Sequence, residues 1–289
     1  MNLISKSNST SIRTFTSKTL PALLSQFKVG DSLDVSGPSP LLVLHGLFGS
    51  KKNWTSLAKR LNKELARPII ALDLRNHGDS PHISPHDYFS MSKDLLAYLD
   101  NERISNPVVI GHSMGGKVAM TASLLEPQAF SSVIIEDISP LEYNVEASMS
   151  KYIVALQEIV DSNVTSLKEA DQIMQKFESE MPVRQFVLTN LYYNKDEKAY
   201  RSKIPLHILG NSLMNLSDWV IGNNRTFTKP SLLIGGSRSN YITPDGISAF
   251  KNYYTNSQIE FLDAGHWVHS EKPEEFVKLV VSFIEKNNL

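Results

Sequence analysis

Val108-Val109-Ile110-Gly111-His112-Ser113-Met114-Gly115-Gly116 is the stretch on which the reading of this chain turns. Three β-branched residues make a short apolar run of the kind that forms a buried strand, and from Met114 to Leu125 the apolar spacing becomes helical. Between them lies Gly-x-Ser-x-Gly. The two glycines let strand and helix cross closely, which forces Ser113 onto a strained turn with its hydroxyl exposed. The N–H of Met114, opening the helix, then points to where negative charge would develop on an attacked carbonyl. Lys117 is not placed as a phosphate-loop lysine, so nucleotide binding is not indicated.

Working outward, Leu41-Leu42-Val43-Leu44 reads as a buried strand ending in His45-Gly46-Leu47-Phe48-Gly49. A loop there can supply a second backbone donor, and the N–H of Leu47 is the best candidate. A helix follows over 53–66 with Trp54, Leu57, Leu61 and Leu65 on one face and Asn53 as N-cap. Ile69–Leu72 is the next strand, followed by the loop DLRNHGDS over Asp73–Ser80, and Ser90–Glu102 reads as a helix. Ser132–Glu136, Ser231–Ile234 and Gln258–Leu262 read as further strands. A final helix over Glu271–Lys286 carries Phe276, Leu279, Val280, Phe283 and Ile284 on one face. Strands alternating with helices predict an α/β fold with a mostly parallel sheet covered on both faces. Residues 140–224 break the rhythm: they are mostly helical in pattern, with no convincing buried strand. An insert of that kind belongs over the carboxyl edge of the sheet, as a lid. The predicted organisation is therefore core over 21–139, lid over 140–224 and core again over 225–289.

A serine nucleophile needs a neutral imidazole as base. Of the eight histidines only His266 and His269 follow the last predicted strand. His266, in the loop Asp263-Ala264-Gly265-His266-Trp267, can lean over the serine; His269 reads as a surface or capping residue. The orienting acid is harder to place. The strand Ser231–Ile234 is followed by Gly235-Gly236-Ser237-Arg238-Ser239-Asn240, with no carboxylate until Asp245. Asp137, directly after the strand beside the nucleophile's, is the preferred acid; Asp245 and Glu136 are the alternatives. Glu136, one residue earlier, should point the opposite way. Phe48 and Trp267 are the candidate pocket residues.

The composition is that of a globular chain, with 41% hydrophobic and 20% charged residues. A net charge of -1 gives no general field for nucleic acid, and the absence of cysteine excludes thiolate catalysis, disulfides and cysteine-bound metal clusters. No apolar run is long enough to span a membrane. The first 30 residues carry Lys6, Arg13, Lys18 and Lys28, ten Ser or Thr and no acid. That pattern predicts a mitochondrial presequence over about residues 1–20, with Arg13-Thr14-Phe15 preceding a cleavage near Thr16.

Taken together, HGLFGS (45–50), DLRNHGDS (73–80), VVIGHSMGGKVAM (108–120), EDISP (136–140), RQFVLTNL (184–191) and GHWVHSEKP (265–273) resemble one branch of the α/β-hydrolase superfamily. It is the branch of bacterial small-acyl esterases and their mitochondrial relatives, which includes the yeast ethanol acetyltransferases. The resemblance covers roughly residues 25–287. It implies an α/β-hydrolase fold with an inserted helical lid, and a catalytic set of Ser113, Asp137 and His266. It further implies a small acyl ester or acyl-CoA as substrate and neither metal nor organic cofactor. The expected activity is ester or thioester hydrolysis through an acyl-enzyme, with alcohol O-acetyl transfer at the same site as the alternative. Dehalogenase and epoxide hydrolase chemistry would need a carboxylate at position 113. A non-enzymatic binding protein would be expected to have lost part of the catalytic set, and all of it is present.

Overall fold

The computed structural model describes residues 20–30 and 38–289. Apart from Leu20, the residues 1–20 on which the presequence expectation falls lie outside them. Among the described residues seven strands form the main sheet: β1 (Gln26–Val29), β2 (Leu41–Leu44), β3 (Ile69–Leu72), β4 (Val108–His112), β5 (Ser132–Glu136), then β8 (Ser231–Gly236) and β9 (Ser257–Leu262). Their order is β1-β3-β2-β4-β5-β8-β9, all parallel except β1, which runs antiparallel along β3. Every residue of β2, β3, β4, β5 and β8 is buried, as near-continuous Val, Ile and Leu runs require when helices cover both faces.

Strand alternation sorts the side chains into two layers. Leu41, Val43 and Ile110 face α1 (Thr55–Leu65) and the terminal α10 (Pro273–Lys286). Leu42, Leu44 and Val109 face α2 (Tyr88–Asn101), α3 (Met114–Leu125) and α8 (Pro244–Tyr253). The terminal helix buries Phe276, Val280, Phe283 and Ile284, the stripe its spacing predicts. At the other predicted helix start, Asn53 is not the N-cap. A 3-10 turn over Lys51–Trp54 begins one step earlier, and Asn53 accepts the Ser50 N–H at 2.6 Å. Ser50 is the better cap because its extended backbone lets the chain turn before the apolar stripe begins.

Between β5 and β8 the chain leaves the sheet. Four helices, α4 (Val145–Asp161), α5 (Leu167–Met174), α6 (Met181–Leu188) and α7 (Leu206–Ser217), build a core of their own around Tyr152, Leu156, Ile159, Met174, Val187 and Leu209. Phe48, from the loop after β2, packs into it. The segment is not purely helical. β6 (Leu191–Asn194) and β7 (Ala199–Ser202) pair as an antiparallel hairpin in which mainly Leu191 and Ala199 are buried. Strands this short, covered at one end only, show too little alternation to be read from sequence. Among the described residues no helix is long and apolar enough to cross a membrane.

Candidate active site

Ser113 sits at the corner between β4 and α3 with φ 51° and ψ -115°, a left-handed backbone that a serine adopts only under constraint. The two flanking glycines are sterically necessary. A Cβ on Gly111 would lie 2.4 Å from the Gly115 carbonyl oxygen, and one on Gly115 would lie 2.5 Å from that of Leu44. The Ser113 N–H bonds the Glu136 carbonyl at 3.0 Å, tying the corner to the end of β5. Met114 is the first residue of α3, so its N–H has no partner within the helix. Leu47, Ser113, Met114, Ile138 and Tyr241 from the core join Tyr143, Val145, Ser148, Met149 and Leu216 around a narrow cavity of about 40 Å³. Two roomier hollows, one around Trp219 and Asn252 and one between α4 and α7, lie away from Ser113.

The carboxylate of Asp137 is fully buried and saturated. Its Oδ1 accepts the Gly236 N–H at 2.8 Å, and its Oδ2 accepts the Ser239 hydroxyl and, at 2.7 Å, Nδ1–H of His266. The end of β8 and the loop after it, which has no acid before Asp245, thus supply two donors to the acid at the end of β5. Asp245 stands exposed in the first turn of α8. Tyr241 stacks on the His266 ring at 4.1 Å. The His112 ring, adjacent in sequence to Ser113, lies 4.7 Å from that of His266, and its Nε2–H donates to the His266 carbonyl at 3.0 Å. Burial, with His266 and His269 close by, holds His112 well below the usual histidine range and so neutral.

Two expectations shift. His269 is not at the surface: its Nδ1–H and its backbone N–H both bond Glu136 Oε1, at 2.7 and 2.8 Å, and its ring stacks on Trp54 at 4.2 Å. Glu136 does point away from Asp137, into this second, buried pair. With His112 the pair forms the one His/Asp/Glu cluster among the described residues compact enough to suggest a metal, its ligand-type atoms within 4.8 Å. The Nδ1 of His269 and the Nε2 of His112 are already committed to hydrogen bonds there. Phe48 and Trp267 do not line the cavity. Phe48 is buried, its ring edge-on to Tyr152 at 5.9 Å, and Trp267 lies against Phe186 at 5.7 Å. Both are bulky residues in the right loops, but the chain turns their rings toward the inserted helices.

The loop bearing Leu47 rests on histidines that sequence spacing did not single out. His77 Nε2 accepts the Phe48 N–H at 3.2 Å while its Nδ1–H donates to the Arg75 carbonyl. His45 Nε2 accepts the Leu74 N–H at 3.0 Å. Each needs one bare nitrogen, and burial lowers the pKa of both, so they stay neutral. Asp73 accepts the Lys51 N–H and its ammonium, and Arg75 is paired twice to Asp94 at 2.6 Å. The DLRNHGDS loop therefore braces the Leu47 turn. The signal was present as three charged residues and a histidine in a loop of eight, but their partners are remote in sequence.

A strand–corner–helix with a half-buried serine, beside a histidine paired to a buried aspartate on a mostly parallel sheet, defines the class. The family model described as alpha/beta hydrolase fold matches residues 39–273, and the chain belongs to that family. It is 36% identical over 261 residues to the sn-1-specific diacylglycerol lipase ABHD11 of Danio rerio, covering 88% of this chain and 81% of that one. It is 35% identical over 265 residues to a probable alcohol acetyltransferase of Saccharomyces cerevisiae, covering 86% and 78%. Among solved structures, a marine microorganism esterase superposes with a TM-score of 0.84 at 31% identity, covering 91% and 99%.

Proposed function

We propose that the chain is a serine hydrolase of short acyl esters or thioesters. The observation that carries this is the 2.7 Å bond from His266 Nδ1 to buried Asp137, at the end of the strand neighbouring that of Ser113. Asp137 fixes the tautomer and steadies the imidazolium, leaving Nε2 to take the Ser113 proton. Ser113 Oγ attacks the carbonyl, and the N–H groups of Leu47 and Met114 receive the oxyanion. The protonated His266 then gives its proton to the leaving alcohol or thiol, and water resolves the acyl-enzyme with His266 again as base. A cavity near 40 Å³ favours acyl groups of a few carbons over long chains.

The likeness to the yeast acetyltransferase supports a second reading of the same site, with an alcohol in place of water as acyl acceptor. Incubation with acetyl-CoA, with and without ethanol, separates the two: acetate alone means hydrolysis, and ethyl acetate means transfer. Ser113→Ala tests the shared step. It is expected to lower turnover of a short activated ester by at least about a thousandfold and to abolish labelling by a fluorophosphonate. Labelling that persists would place the nucleophile elsewhere. We also carry forward the mitochondrial reading of the N-terminus; a fluorescent protein fused to residues 1–30 should be imported, and a cytosolic signal would overturn it.

A further inference from the structure

Lys117 is the only charged residue in α3 (MGGKVAMTASLL), and it is 1% exposed. It follows Ser113 by one helical turn, with its N–H on the Ser113 carbonyl at 3.0 Å. Helical side chains lean toward the N-terminus, so its stem runs back toward the serine. There it joins Ser113, Met114, Tyr88 and Tyr143 in the wall of the same narrow cavity. An ammonium has three donors. Lys117 makes a single long hydrogen bond, 3.3 Å to the Asp218 carbonyl, and otherwise faces the rings of Tyr88 and Tyr143 at 5.3 and 5.1 Å. Neither tyrosine hydroxyl is hydrogen-bonded to it; they donate to the Leu216 and Tyr241 carbonyls. The nearest carboxylates, Asp218 and Glu142, are exposed, and burial brings the amine's pKa down to about 7. No carboxylate is hydrogen-bonded to the Lys117 amine.

We propose that Lys117 is the anion-recognising end of the acyl pocket, so that the preferred acyl groups are short chains ending in a carboxylate. This rests on Ser113 as the nucleophile. The cavity is narrow, suited to a short acyl chain. A malonyl half-ester places four non-hydrogen atoms beyond its carbonyl carbon, two of them carboxylate oxygens that can take the ammonium's unused donors. The 3-methylbutanoyl group has the same shape without charge.

The test measures kcat/KM for monoethyl malonate and ethyl 3-methylbutanoate by pH-stat, on the wild type and on Lys117→Met. The malonate-to-methylbutanoate ratio should exceed that of the variant by about tenfold or more, the worth of a hydrogen bond to a charged group. Circular dichroism and fluorophosphonate labelling of Ser113 check the variant's fold and site. A ratio unchanged by the substitution would overturn the proposal and leave Lys117 as a tether between α3 and the end of α7. If the variant does not fold, the wild type decides alone: preference for the charged ester supports the subsite, and preference for the neutral one overturns it while leaving Ser113 intact as nucleophile. Failure on both esters together with no fluorophosphonate labelling would instead overturn the hydrolase reading on which the proposal rests.

Discussion

Glu136 and Asp137 are neighbours at the end of β5, and each accepts a histidine Nδ1–H at 2.7 Å. The two pairs are alike in length and chemistry and differ in what surrounds them. Asp137 turns its chain left-handed at φ 48°, and its His266 side chain keeps 16% exposure beside the cavity that Ser113 lines. Glu136 ends the strand on the opposite face, and its His269 side chain, 7% exposed, is sealed under Trp54. A carboxylate–histidine pair is thus not a catalytic signature by itself. On the proposed reading, the exposure left to His266, stacked on cavity-lining Tyr241, separates a base from a buried brace.

That contrast predicts different consequences for activity from nearly the same substitution. Asp137→Asn should lower kcat on a short ester by about 10³–10⁴, the scale of the equivalent loss in serine proteases, and should also lower the melting temperature, since this buried carboxylate accepts three hydrogen bonds. Equal activity loss in Glu136→Gln would erase the distinction. Glu136→Gln should instead act on stability, costing about 2–3 kcal/mol because it weakens two hydrogen bonds to a buried charge. Its melting temperature should drop by several degrees while kcat stays within about tenfold.

Acid should sharpen the contrast further. Burial holds His45, His77 and His112 below their usual range and takes His86 to about 3. Below pH 6.5 the unfolded chain takes up protons that these native histidines refuse. Their contribution to stability is therefore complete above 6.5 and declines as pH falls toward each lowered value, by about 1.4 kcal/mol per histidine per pH unit. Thermal melts at pH 7.5 and 5.0 should differ widely, and coincident melts would contradict the neutral-histidine scaffold. The smallest expected effect is at Asp245, exposed in the first turn of α8. Asp245→Asn should leave kcat within about twofold, losing only a few tenths of a kcal/mol of helix-end electrostatics.

The sheet and the serine corner were legible because both are local. Apolar runs such as Leu41–Leu44 announce buried strands, and Gly111 and Gly115 bracket the only turn that would force a serine out of a strand. The pairing of Asp137 with His266 was legible by elimination, since the loop after β8 holds no nearer acid than Asp245. What that loop does instead was not legible: Ser239 and the Gly236 N–H serve a carboxylate about a hundred residues away in sequence. The role of His269 was hidden for the same reason, since Trp54 and Glu136 come to it through the fold. Lys117 left a trace, a lone charge in an otherwise uncharged helix, whose meaning depends on the tyrosines that α2 and the segment after β5 bring to it.

The pairing that carries the account can be watched directly. In protein with ¹⁵N-labelled histidine, proton NMR at low temperature should show a strongly deshielded Nδ1–H from each of His266 and His269. Asp137→Asn should shift or remove the His266 signal alone, and Glu136→Gln and Asp245→Asn should leave it in place. A His266 signal that survives Asp137→Asn and vanishes in Asp245→Asn would contradict the assignment of Asp137 as the acid that orients the catalytic base.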